Sequence, residues 1–366
     1  MSSALSSQTP PGEPEPGPRP RAFLGELRDA VSLRTLALMT GVLLLQLGFI
    51  VSYIGAFHSP TPHRVPVAVV APPQVTRQVV PLLNGLPGHP ASASAAPSEA
   101  AARARLLDRR VDAVLLVDAT GSTDRLLVAS AGGPAVSETA TQVARQIEKG
   151  RHRTVTITDI RPPTPADGRG LSAFYLVVGW MVGGYLASSL LSISAGARPA
   201  NTHRALIRLL TMAVYAVCSG LAGAIIVDPV FHALPQHFTA LWGIGALVVF
   251  AAAAGAMALQ ILFGTIGIGV AVLLFVVLGN PSAGGPYPSV LLPPFWRVIG
   301  PALPPGAGTT AVRNTVYFAG HATAGPLWVL AAWAAGGILV TLLASLRHDR
   351  RHPRPNPTST TATTTP

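Results

Sequence analysis

Lysine is almost missing from this chain, and acids are scarce. Lys149 is the sole lysine among 26 basic residues, which face only 15 Asp and Glu. A nucleotide-driven motor needs a Gly-rich loop ending in Gly-Lys-Ser/Thr to cradle phosphate and magnesium. The one lysine sits in Glu148-Lys149-Gly150, so the chain has no such loop. It also has no G-x-S-x-G nucleophile elbow and no H-E-x-x-H zinc helix. The single cysteine, Cys218, excludes an intrachain disulfide and a thiolate metal site, and its apolar neighbours read it as a small membrane-buried hydrophobe. No enzymatic activity, cofactor or metal is expected.

Charge of either sign is low as well. Only 11% of the residues are charged while 49% are hydrophobic, and mean hydropathy is +0.45; soluble domains carry about 25% charge. From Pro229 to Trp296 there is no Asp, Glu, Lys or Arg at all. A lipid-solvated helix explains this, because each Asp, Lys or Arg at mid-bilayer costs about 3 kcal/mol. The part from Leu241 to Gly279 is about 58 Å long as a helix, against roughly 30 Å of hydrocarbon. It must therefore fold back, with the turn expected around Gln260 to Gly267. The net charge of +11 is spread over tails, loops and an outer domain rather than massed on one face, so nucleic acid is not an expected partner.

Taken in order, residues 1–20 are Pro- and Ser-rich and read as a disordered tail. In 21–34 Phe23, Leu24, Leu27 and Val31 share one helical face, which suits an interfacial helix or, alternatively, a cytosolic stalk. Residues 35–57 are uncharged and form the first span. Residues 58–170 alternate strand and helix signals and read as a small extracytoplasmic α/β domain. Strands are expected at 64–72, 111–118, 124–130 and 154–160, helices between them, Ser137 as the cap of the last helix, and a flexible loop over Pro87 to Pro97. Further spans are expected at 171–194, 205–227, 241–259, 262–280 and 326–346, with Gly179 and Gly183 offering a close-approach spacing in the second. The third is expected to end at Asp228 and Pro229. An outer connection over 281–325 is expected to hold re-entrant or interfacial helices, and 347–366 is a basic, disordered tail. The fold class is thus an α-helical polytopic membrane protein with six transmembrane helices and an α/β domain between the first two. Arginines at 19, 21, 28, 34, 198, 204, 208, 347, 350, 351 and 354 place both termini in the cytoplasm.

Two residue sets invite a functional reading. Asp228 is the one acid between Asp167 and Asp349; inside a bundle it is a relay candidate, and at a helix end it is structural. His58, His63, His232, His237 and His321 fall near the outer bilayer face, but their spacing suits interfacial side chains better than a metal site.

The string from Gly279 to Gly320 carries a resemblance. Gly279-Asn280-Pro281, Leu292-Pro293 followed by Phe295, Trp296 and Arg297, then Pro304-Pro305-Gly306, Arg313 and Tyr317-Phe318 are similar in texture to the segment before the last span in the Pip/YhgE-like group of the type-2 ABC transporter permease superfamily. The chain also resembles fungal nitrosoguanidine-resistance membrane proteins. The resemblance implies the permease subunit of a bacterial plasma-membrane exporter, a homodimer driven by a separate cytosolic ATPase, moving an amphiphilic, drug-like or envelope substrate. Its outer domain is shorter than in the phage-infection-protein members, so no receptor role carries over. The resemblance further implies that the loop 195–208 bears the coupling helix. Here Asn201 or Thr202 is expected to cap a short helix that presents His203 and Arg204, with Arg198 beside it. The alternative function is a non-transporting envelope binding or scaffold protein that works through its outer domain.

Overall fold

The computed structural model describes residues 33–197, 199 and 201–351. The expected tails at 1–20 and beyond Arg351, nearly all of the interfacial helix at 21–34, and Arg198 lie outside the described residues. Two compact units are distinguished, Met1–Gln46 and Leu47–Pro366. The first contributes the opening turns of α1 (Leu33–Phe57), whose Leu36, Leu38, Met39 and Leu43 are exposed. An apolar helix without a polar face is what lipid, not water, solvates.

The second unit begins with an α/β domain: β1 (Val65–Val70), α2 (Pro73–Asn84), β2 (Ala91–Ala95), α3 (Glu99–Leu107), β3 (Ala113–Leu116), β4 (Thr123–Val128), α4 (Pro134–Gly150) and β5 (Thr154–Asp159). The sheet order is β2-β1-β3-β4-β5, parallel except where β3 meets β4. Alternation assigns the two faces. Val67, Val69, Leu115 and Leu126 point to α2 and α4, whereas Ala68, Val114, Leu116 and Leu127 join Leu106 of α3. That second cluster does not stop at the domain. It runs on through Trp180, Val248, Phe275 and Leu330 of the helical bundle, so domain and bundle share one core.

Two expectations fail here. The segment expected as a flexible loop contains β2, whose Ala-Ser-Ala-Ser-Ala sequence lacks the hydrophobic alternation of a strand but pairs residue by residue with β1. Small side chains suffice there because α2 covers them, and Asn84 of α2 locks both the N–H and the carbonyl of Ala93. The helix α4 starts at Pro134, three residues before Ser137, which is buried inside it; Gly133 caps instead, with φ +151°.

Among the described residues, five helices are long and apolar enough to cross a membrane. They are α1, α5 (Ser172–Ala195), α6 (Thr202–Ile225), α7 (Phe238–Phe263) and α11 (Ala324–Arg351). The chain is a polytopic helical membrane protein. Between α7 and α11 comes the shorter apolar helix α8 (Ile266–Ser282), which contains a π-helical stretch over Leu273–Leu278. The fold-back falls at Gly264, φ +64°, where only glycine takes that backbone without strain. Gln260 belongs to α7 rather than to the turn. The third span does not end at Asp228: α6 passes over Pro229 as a π turn through Ile226–Val230. The widened turn accommodates a residue without an N–H.

Glycines set the closest helix approaches, and of the predicted pair only Gly183 faces a neighbour, where a Cβ would lie 3.0 Å from the Tyr215 hydroxyl of α6. A Cβ at Gly179 would meet nothing, while one at Gly184 would lie 2.5 Å from the Val249 carbonyl oxygen of α7. Gly220 and Gly337 pack as closely on α7, so α5, α6 and α11 all rest on one central helix. That helix is buried over Ala251–Ala254. Cys218, by contrast, is exposed on α6.

Candidate functional site

The site is assembled where the α/β domain meets the connection between α8 and α11. That connection folds into α9 (Pro294–Ile299) and α10 (Pro304–Tyr317). The sequence of α10 is rich in Gly, Thr and Pro rather than Leu, yet it is buried along nearly its whole length. A buried helix made of small and polar residues needs polar partners. Gly306 permits this by closeness, since a Cβ there would lie 2.2 Å from the Gly300 carbonyl oxygen.

Four contacts fasten α10 and the chain beyond it to the domain. The Tyr317 hydroxyl donates to Asp167 Oδ2 at 2.7 Å, and Asp167 Oδ1 accepts the Ser172 N–H at 2.8 Å, holding the first turn of α5. Arg313 donates to the Gly284 carbonyl at 3.0 Å and to the Gly170 carbonyl at 3.5 Å. The Arg109 guanidinium, at the end of α3, lies 4.7 Å from the centre of the Phe318 ring. His321 Nδ1 stands 3.1 Å from Asp108 Oδ1. Burial, with Asp167 adding to it, pushes the Tyr317 phenol up, so it remains a neutral donor. Burial first, and Arg109 second, lower Arg313 to about 10, which still leaves it cationic at neutral pH.

Between these parts lies a cavity of about 150 Å³. Its wall takes Arg109 from the turn after α3, Gly132 from the loop before α4, Ser282 from the end of α8, Ser289 from the connection, and Gly306, Thr310, Arg313 and Asn314 from α10. The α10 residues sit at i, i+4, i+7 and i+8, one helical face. Gly132 is required there, because a Cβ would overlap Arg109 Nη1 at 2.2 Å. No Asp or Glu is among the described residues of the wall. Arg313 Nε and Asn314 Oδ1 are buried without a hydrogen-bond partner among the described residues.

Of the residues singled out in the sequence, this junction gathers Arg313 and Tyr317, both buried, whereas Asn280 and Pro281 are buried at the end of α8 outside the cavity wall. Pro293, Phe295, Trp296 and Arg297 belong to a second patch, in which Pro293 caps α9 and Trp296 packs against Ala56 and Leu292 by the end of α1. Phe295 is exposed there, and Arg297 donates back to the Leu292 carbonyl at 3.3 Å. Arg109, Asp167, Thr310 and Asn314 were not singled out. The first two lie in the α/β domain and the chain just after it, far in sequence from α10, and only the fold joins them.

The remaining candidates are placed elsewhere. Asn201 does cap, accepting the Arg204 N–H at 2.8 Å, but what it caps is α6 itself and not a separate short helix; His203 and Arg204 are exposed on the first turn of α6. Apolar residues follow at once, so the helix has no reason to stop. Arg208 is buried and closes the C-terminus of α5 by donating to the Ala195 and Gly196 carbonyls. Asp228 lies in the π turn of α6 and is not part of the cavity wall. Among the described residues no three metal-ligating side chains gather. Comparison with protein-family models, with curated proteins and with solved structures finds no match to this chain.

Proposed function

We propose that the chain is the permease subunit of an ABC-type exporter in a bacterial plasma membrane, a homodimer that moves an amphiphilic, drug-like or envelope substrate with a separate cytosolic ATPase. The observation that carries this reading is the shared core of domain and bundle, sealed by α10. A domain that merely hung from an anchor would not need its acid, Asp167, buried against a helix of the bundle. The resemblance of the 279–320 segment to type-2 permeases points the same way.

In this reading α8 is a sixth crossing and the α/β domain is extracytoplasmic. Two contacts support it. Thr164 of the domain donates to the Ala233 carbonyl just before α7, and Ser282, the last residue of α8, shares the cavity wall with Arg109 of the domain. The chain thus leaves the domain side in α7 and regains it at the end of α8.

Force from an ATPase then enters on the opposite side, where the α5–α6 turn presents His203 and Arg204. Crosslinking native membranes and purifying the full-length chain should recover an ATPase in stoichiometric amount, and Arg204→Glu should lower that recovery without changing insertion. Recovery of no ATPase from wild type removes the exporter reading. Unchanged recovery with the variant removes only the coupling assignment.

One observation favours the alternative, a binding or scaffold protein. An apolar crevice with about 40 Å³ of free space opens between α2, α4 and the sheet, and Arg151 stands in its wall. If ligand binding in the domain proceeds undiminished when α10 is unlocked by Tyr317→Phe, the domain works alone and the alternative gains.

A further inference from the structure

The junction cavity concentrates positive charge that the protein itself does not neutralise within it. Arg313 is 5% exposed and donates its hydrogen bonds to two backbone carbonyls, not to a carboxylate. Burying a cation without an anionic partner is costly. Asp167 reduces that cost from the far side, yet its two oxygens are taken by Tyr317 and the Ser172 N–H. Arg109 brings a second guanidinium to the same wall; its Asp112 partner is 3.6 Å away and outside the wall. Two like charges facing one space repel, and Arg109 is the second cause, after burial, of the lowered affinity of Arg313 for its proton.

The wall offers further donors. Thr310 and Ser289 contribute hydroxyls, and Thr310 is exposed, so the cavity opens to the outside on that side. At about 30 Å³ per water the space holds roughly five water molecules. Donors converge from three separate segments: the end of α3, the 289 loop and α10. A flat carboxylate has two oxygens and suits a single fork; a tetrahedral oxyanion has more oxygens, aimed in different directions.

We propose that this cavity is a binding site for a phosphoryl group, held between Arg109 and Arg313 with the Thr310 and Ser289 hydroxyls as additional donors. The group is either the headgroup of a phospholipid-like amphiphile or a free phosphate. Asn314 Oδ1, left without a donor, is satisfied by a hydroxyl carried beside the phosphorus, as in a glycerophosphate headgroup. This deepens the exporter reading and rests on it only in treating the ligand as a substrate. Binding is measured without an ATPase, so failure of transport and failure of binding are told apart.

The test uses the full chain in neutral detergent, titrated by calorimetry and followed by thermal unfolding. The probes are inorganic phosphate, micellar short-chain phosphatidylglycerol and, for comparison, acetate. At least one phosphate-bearing probe should bind and raise the unfolding temperature, and acetate should not. Binding of phosphatidylglycerol alone assigns the group to a lipid headgroup; binding of inorganic phosphate as well assigns it to phosphate in general. Arg109→Ala should weaken binding by about tenfold or more. Thr310→Val, which leaves both guanidiniums and the domain contacts in place, should weaken it by about fivefold. No binding by wild type, equal stabilisation by acetate, or unchanged affinity in both variants overturns the proposal.

Discussion

Asp124 is wholly buried, on a strand of the α/β domain, and a carboxylate in that position must be answered in full. Arg153 answers it, donating through Nε at 3.1 Å and Nη2 at 2.5 Å, and the same guanidinium reaches the Gly121 and Asp118 carbonyls. The Asp118 N–H supplies a further bond to Asp124. Arg153→Ala strands the carboxylate, and stability should fall by about 3 kcal/mol, read from denaturant unfolding of the α/β-domain signal. Glu148 is the second acid of this knot, 3.5 Å from Arg153 and 1% exposed. Burial first, then the charge and hydrogen bond of Asp124, hold its carboxyl above the ordinary glutamate range, while Arg151 and Arg153 act in the opposite sense. A raised folded value means that the contribution of Glu148 is complete below the ordinary range and is lost as pH rises through the folded value. The stability of wild type relative to Glu148→Gln should therefore fall as pH rises above the ordinary glutamate range, with the variant at least as stable at the upper end. A difference that grows in favour of wild type over that rise in pH contradicts the protonated Glu148–Asp124 contact.

Among the elements, α7 is the one the others pack around, and its only strongly polar buried side chain is Gln260. That amide donates to Ser189 of α5 at 3.0 Å and accepts from Ser192, while Ser189 passes its own hydrogen to the Tyr185 carbonyl. Interhelical hydrogen bonds of this kind contribute about 0.6 to 1.7 kcal/mol each in a membrane protein. Gln260→Leu should cost about 1 kcal/mol in detergent unfolding. Gly337→Leu should cost more, because a Cβ there would sit 2.5 Å from the Ala254 backbone and push α11 off α7; wild-type stability of that variant would refute the packing. The sequence made the long helices legible, since uncharged apolar runs have one physical explanation. It made β1, β3, β4 and β5 legible through β-branched runs. It hid β2, which is only Ala and Ser and takes its structure from β1. It pointed to short helices over 281–325 but did not give the bounds or the burial of α10, because Pro304-Pro305-Gly306 followed by Thr309, Thr310, Arg313 and Asn314 carries neither a hydrophobic run nor an apolar stripe. The partners of α10 were out of reach for the same reason: Arg109 and Asp167 precede it by most of the bundle.

For the whole molecule the open quantity is the parity of crossings. Five long helices alone would put the two termini on opposite sides; counting α8 returns them to the same side. From 266 to 282, α8 is about 25 Å long, slightly less than the roughly 30 Å of hydrocarbon, and its π stretch shortens it further. A short helix crosses where the bilayer thins around it or where neighbours shield its ends. Here both ends are tied: Gly267 lies against the backbone of Leu259 and Gln260, and Ser52 of α1 donates to the Val277 carbonyl in the π stretch. We therefore expect six crossings, with cytoplasmic termini and the α/β domain outside. Membrane-impermeant maleimide on intact cells reads the parity directly. Cys218→Ser removes the exposed native thiol. In that background Ser94→Cys, on the exposed side of β2, should be labelled. Ser359→Cys should be labelled only after the cells are opened, and Ser2→Cys should behave as Ser359→Cys does. If the two terminal cysteines differ, α8 does not cross; if Ser94→Cys is protected while both termini react, the whole orientation is reversed.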